Sequence, residues 1–130
     1  ARPAAGVELP PLPPAGPLPA REPGTLRLVA TRSLWDGGTI VAHSPHLAPL
    51  HPRPAVGLHP AELARAGLSE GEVVRVSSPR GALELPVVAD PRLAEGTAAL
   101  PVNLPGASAT ALIDASAPVT DVALDRGGAR

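Results

Sequence analysis

The chain has 130 residues, 11 basic against 12 acidic side chains, and no cysteine. That length holds one domain. The near-neutral balance excludes a broad electrostatic footprint for nucleic acid or an anionic membrane, and the missing thiols exclude disulfides, thiolate catalysis, cysteine zinc sites and iron–sulfur ligation by this segment. With no thiol to read, the redox compartment stays open. Pro 19 and Gly 13 make up about a quarter of the chain, yet hydrophobic content is an ordinary 44%. Phe, Tyr and Met are absent and Trp35 is the sole aromatic, so the core must be Leu, Val and Ala. Every basic residue is Arg, a mark of a GC-rich genome.

Residues 1–24 hold 8 of the 19 prolines and read as an extended Pro/Ala linker, partly polyproline II. There is no initiator Met and no signal pattern, and the chain reads as part of a longer protein. No stretch reaches the roughly 18 apolar residues that span a membrane.

From Thr25 the pattern is that of short strands. Leu26 and Leu28 alternate with Arg27 and Val29 as in a half-buried strand. Asp36-Gly37-Gly38-Thr39 is a turn signal before the apolar run Ile40-Val41-Ala42. Residues 43–54 carry four prolines and form an irregular loop. Val56-Gly57-Leu58 is a short strand. His59-Pro60 opens a helix through Ala66, and Gly67 suits a left-handed C-terminal position. Leu68 to Gly71 turns into the strand Glu72 to Ser77, which is rich in β-branched residues. Ser78-Pro79-Arg80-Gly81 forms a hairpin turn into Ala82 to Val88, with Leu83, Leu85 and Val87 on one face. Pro86 belongs at an edge or a bulge, because it lacks a ladder donor. Thr97 to Val102 is a strand. Asn103 to Pro118 is a long connection with a short helix near Ala109 to Ile113. Val119 to Leu124 is the last strand, and residues 127–130 are a tail. Six or seven short strands with one or two short helices indicate a mainly β chain closed into a small barrel over residues 25–126. Closure removes exposed edges.

The chemistry-bearing residues leave few enzymatic options. His43, His46 and His51 have suggestive spacing, but no helix aligns them and no carboxylate lies in their loop, so no metal site is expected. His59 fits a helix start. No Gly-x-Ser-x-Gly elbow is present. Asp114-Ala115-Ser116 lacks the matching second carboxylate motif of an aspartic protease, and Asp121 does not supply one. No catalytic residue is assigned.

The order Leu58-His59-Pro60, short helix, Gly67-Leu68, Glu70-Gly71, Val73 to Ser77, Pro79-Arg80-Gly81, Val87 to Pro91 and Gly96 resembles the molybdopterin dinucleotide-binding domain. Thr31-Arg32-Ser33-Leu34-Trp35-Asp36-Gly37-Gly38-Thr39 is similar to the family's opening segment, and Asn103, Asp114, Ser116 and Pro118 to its closing segment. The resemblance implies a double-psi β-barrel with a dinucleotide site at Thr31, Arg32, Trp35, Asp36, Gly37, Gly38 and Asn103. Residue 30 departs from the pattern: Ala stands where Gly is usual, which hinders close approach of a phosphate.

The strings Thr31 to Thr39, Val74 to Gly81 and Pro105 to Ala109 are similar to one branch, the large iron–sulfur subunit of NADH–quinone oxidoreductase (complex I) in high-GC bacteria. That branch implies a structural module without a cofactor of its own. It would be joined to other domains and subunits of the peripheral arm, at the cytoplasmic face of the membrane, with iron–sulfur clusters in other domains. The alternative is a molybdenum or tungsten oxidoreductase such as a formate dehydrogenase, in which the domain grips molybdopterin guanine dinucleotide. A third reading is a double-psi interaction adaptor.

At the residues themselves two readings stay open. A pyrophosphate needs convergent N–H groups and positive charge; on that reading Gly37 and Gly38 expose amides and Arg32 pairs with an oxygen. Asp36 repels that anion, or accepts from a guanine ring. Otherwise the segment is a hairpin turn with Trp35 as the largest core plug. Asn103 either bonds a base or ribose, or is a turn former bonding its own backbone. Arg80 is expected on the solvated surface.

Overall fold

The computed structural model describes Pro11 and residues 16–127. Six strands form it: β1 (Leu26–Thr31), β2 (Val56–Leu58), β3 (Val73–Ser78), β4 (Gly81–Ala89), β5 (Thr97–Pro101) and β6 (Asp121–Arg126). Two short helices join them, α1 (Thr39–Ala42) and α2 (Pro60–Ala66), with single 3-10 turns at Ala48–Leu50 and Ala109–Ala111. The strands close into a barrel in the order β1-β5-β2-β4-β3-β6. β1–β5 and β2–β4 are parallel, and the other four pairings are antiparallel. This matches the mainly β, double-psi arrangement expected from the sequence. Among the described residues no helix is long and apolar enough to cross a membrane.

The strand order forces two crossings. β5 lies between β1 and β2, so residues 32–55 must pass over the C-terminal end of β5. β2 lies between β5 and β4, so residues 90–96 must pass over the C-terminal end of β2. At each crossing the strand that ends is stitched to the strand beside it: Val102 N–H donates to Thr31 O at 2.8 Å, and Asp90 N–H to Leu58 O at 2.9 Å.

The core is aliphatic. Val56, Leu58, Val74, Val76, Val87, Leu100, Leu112 and Val122 are fully buried. Period-two alternation puts Val74 and Val76 inward on β3 and Leu85 and Val87 inward on β4. Trp35 is not among them; it is 37% exposed, so the expected core plug is corrected. The barrel interior is narrow enough to be filled by Val and Leu from every strand.

Ile40-Val41-Ala42 also differs from an apolar core segment. It is one helical turn with no buried residue, and Ile40 is 81% exposed. The last strand runs later than its apolar stretch suggests, because β3 keeps pairing through Val74↔Arg126. Backbone pairing needs no apolar side chain, so hydropathy does not mark that end.

Helix α2 follows its signature. His59 Nδ1 accepts from Ala61 N–H at 3.1 Å, Pro60 opens the first turn, and Gly67 caps the end at φ +64°. Pro86 sits beside a bulge. Gly71, at φ +84°, donates to Val87 O at 2.8 Å, and Val87 N–H donates to Glu72 O at 2.9 Å, so two residues face one. The next pair, Val73↔Pro86, is therefore the non-bonded kind, and β2 joins β4 only from Val87. The missing N–H costs no ladder bond.

The expected linker lies largely outside the described residues. Its last part rests on the barrel: Arg27 Nη2 donates to Pro19 O at 3.0 Å, and Arg21 Nη1 to Gly96 O at 3.1 Å. Of the expected tail, only Gly127 is described; its N–H donates to Val73 O at 3.3 Å.

Leu100→Ala is expected to lower unfolding stability by about 2–5 kcal/mol, since it empties a buried site, whereas Ile40→Ala stays within about 0.5 kcal/mol. Urea denaturation of the two variants checks this.

Candidate functional site

The first crossing gathers most of the site residues named from the sequence. Residues 32–38 leave the end of β1 and meet residue 103 where the chain leaves β5. Arg32 Nε and Nη2 donate to Asp36 Oδ2 at 2.9 and 2.6 Å. Gly38 N–H and Asn103 Nδ2 donate to Asp36 Oδ1 at 2.9 and 3.4 Å. Gly37 N–H donates to Asn103 O at 2.5 Å. Asp36 is buried at 5% exposure, whereas the Arg32 side chain is 72% exposed.

Local geometry explains the residue types. Asn103 is the one non-glycine residue at positive φ (+61°) among the described residues, a conformation Asn tolerates. This turns its carbonyl toward Gly37 and its amide toward Asp36. A Cβ on Gly37 would stand 2.5 Å from Asn103 O, so only glycine permits this approach. The Asn103 side chain bonds Asp36 rather than its own backbone, so the residue ties two loops.

The charge balance is internal. The Arg32 guanidinium holds the Asp36 carboxyl below its ordinary 3.8; burial opposes this, and the Gly38 N–H supports it. Asp36 is therefore an anion throughout the neutral range.

Two named residues stand apart from the network. Thr31 Oγ1 donates to Leu100 O at 3.3 Å, and the Trp35 carbonyl lies 2.9 Å from His51 Nδ1. Thr31 and Ser33 line a groove of about 430 Å³ with Arg53, Arg92, Leu93 and Ala99. Ser33 Oγ is buried there with no hydrogen-bond partner among the described residues. Nothing in the local sequence marks Ser33 or Arg53, because the groove is built from three separate connections.

The second crossing holds a carboxylate that sequence reading passes over. Glu62 on α2 accepts from Gly96 N–H at 2.7 Å and from Arg65 Nη1 at 2.6 Å, and it is buried at 7% exposure. Burial pushes its carboxyl up, but the Gly96 N–H and Arg65 outweigh it and hold the group below 4.5. A Glu in a first helical turn is ordinary, so its partner in a loop 34 residues away leaves no local signal.

The remaining candidates are separate. His43 and His46 are exposed, Arg80 is exposed at its hairpin, and Asp114 is occupied by Ser116 N–H and Oγ at 3.0 and 2.7 Å. Among the described residues no group of three His, Cys, Asp or Glu side chains is placed to hold a metal ion.

The family model described as "Molydopterin dinucleotide binding domain" matches residues 26–124. The chain belongs to this family. Among solved structures the chain is similar to acetylene hydratase from Pelobacter acetylenicus, at 20% identity and a TM-score of 0.60 over 74% of this chain. That likeness is one of fold, and it spans only 18% of the hydratase. None of the curated proteins matches the chain.

A dinucleotide pyrophosphate takes free, convergent N–H groups. In this member of the molybdopterin dinucleotide-binding family Gly37 and Gly38 donate within the loop, and Arg32 is forked onto Asp36. The two glycine N–H groups of the loop as folded do not fit that group, because both are already used, while the part of the Arg32 guanidinium that does not face Asp36 stays exposed.

Two outcomes are expected. Gly37→Ala should destabilise the fold by about 1–3 kcal/mol, because backbone must shift to admit the methyl group. Asp36, with its depressed pKa, contributes stability that is fully present above 3.8 and is lost as pH falls below that value. Asp36→Asn should therefore flatten the acid limb of a stability–pH profile measured by thermal unfolding.

Proposed function

We propose that the chain is a structural module of the large iron–sulfur subunit of NADH–quinone oxidoreductase, keeping the dinucleotide-binding barrel without holding the cofactor. The observation that carries this reading is the loop at residues 32–38, whose Gly37 and Gly38 N–H groups and Arg32 Nε and Nη2 are taken by Asn103 and Asp36. The similarity of Thr31 to Thr39, Val74 to Gly81 and Pro105 to Ala109 to that branch supports it. The absence of cysteine agrees with clusters held by other domains. On this reading the module docks on other parts of a peripheral arm at the cytoplasmic face of the membrane, and it takes part in electron transfer from NADH to quinone only through its parent.

A second reading, the grip on molybdopterin guanine dinucleotide in a molybdenum or tungsten oxidoreductase, is favoured by the outward face of Arg32 and the groove at Thr31 and Ser33. Titrating the full chain with guanosine diphosphate while following Trp35 fluorescence separates them. The structural module predicts a flat response up to millimolar ligand. Saturable binding at micromolar levels that is lost in Arg32→Ala overturns it and establishes the grip.

A further inference from the structure

The network at the first crossing has the make-up of an anion cradle, and it already holds an anion. A guanidinium fork, a backbone N–H and a side-chain amide converge on one carboxylate. This donor set is the kind that grips phosphate oxygens. We propose that Asp36 is an internal occupant of this cradle, a carboxylate standing where a ligand phosphate would sit. The chain's own side chain then closes the loop to nucleotides. The inference rests on the cofactor-free reading and names the residue that enforces it.

Three features make the occupant hard to displace. Asp36 lies four residues from Arg32 on the same loop, so its effective concentration at the fork is set by the chain and does not fall on dilution. Its carboxylate is buried, so a ligand that took its donors would leave an unpaired charge out of water. The loop cannot open by a small shift, because the Gly37 backbone is clasped against Asn103 O. A phosphate entering beside Asp36 also meets like charge, since the one positive group of the network is already neutralised by this carboxylate.

Removing the carboxylate should therefore create a site rather than destroy one. Inorganic pyrophosphate and guanosine diphosphate are titrated into the full chain as wild type, Asp36→Ala, Asp36→Asn, Arg32→Ala and the Asp36→Ala/Arg32→Ala double variant. Calorimetry and anion-dependent Tm are the readouts. Wild type is expected to show no saturable binding. Asp36→Ala should gain binding at least tenfold tighter, weakening with salt, with a Tm that rises with pyrophosphate. The double variant should lose that gain. If Asp36→Ala does not fold, Asp36→Asn, which keeps the shape without the charge, carries the test. A folded Asp36 variant with no gain overturns the inference and leaves the cofactor-free reading standing. Wild-type binding lost in Arg32→Ala overturns both. Wild-type binding untouched by Arg32→Ala overturns the cofactor-free reading alone, and the Asp36 variants still decide the occupant.

Discussion

Two connections in this barrel each have to pass over the end of a strand they do not belong to. β5 separates β1 from β2, and β2 separates β5 from β4, so the chain cannot join either pair without a crossing. A crossing brings the backbone of one connection against the chain leaving a strand, and there polar groups lose water. They must then be paired within the protein. The functional geometry follows from that requirement.

The two crossings answer it with the same chemistry. At one, Asp36 accepts from the Gly38 N–H and from Arg32; at the other, Glu62 accepts from the Gly96 N–H and from Arg65. In each case a buried carboxylate takes one glycine N–H and one guanidinium. Burial alone would favour the neutral acid; the glycine N–H and the guanidinium are what hold each carboxylate ionised, and breaking it away from them leaves a charge without solvation. The crossings differ in what lies outside. The first presents the outward face of Arg32 near a groove lined by Arg53 and Arg92; the second opens on a pocket lined by Arg21, Glu62 and Arg65. A fold whose family is defined by dinucleotide binding thus presents, at its opening loop, glycine N–H groups that are already used.

The small aliphatic core sets the tolerance of this arrangement. With no aromatic residue inside, Val and Leu from all six strands fill the barrel, and stability depends on every strand staying in register. The bulge at Gly71 and Glu72 spares Pro86 a broken ladder and shows how closely the backbone bonds are accounted for. The exposed Trp35 and Ile40 belong to the long connection over β5, which contributes surface rather than core.

Much of the fold was legible because its signals are local. Alternation marked the strands, His59-Pro60 and Gly67 bounded α2, and Pro79-Arg80-Gly81 made the hairpin. The residues of the first crossing were also found, as an ordered string that resembles a family. What the string could not reveal is which groups pair. Arg32 to Asp36 is a local contact, but Asn103 is 67 residues from Asp36 and Gly96 is 34 residues from Glu62. Composition and periodicity determined a cysteine-free, aliphatic, barrel-forming chain. Only the tertiary structure decided that the glycine N–H groups and one edge of the guanidinium are already used, because strand order, a non-local property, sets which connection crosses which strand end.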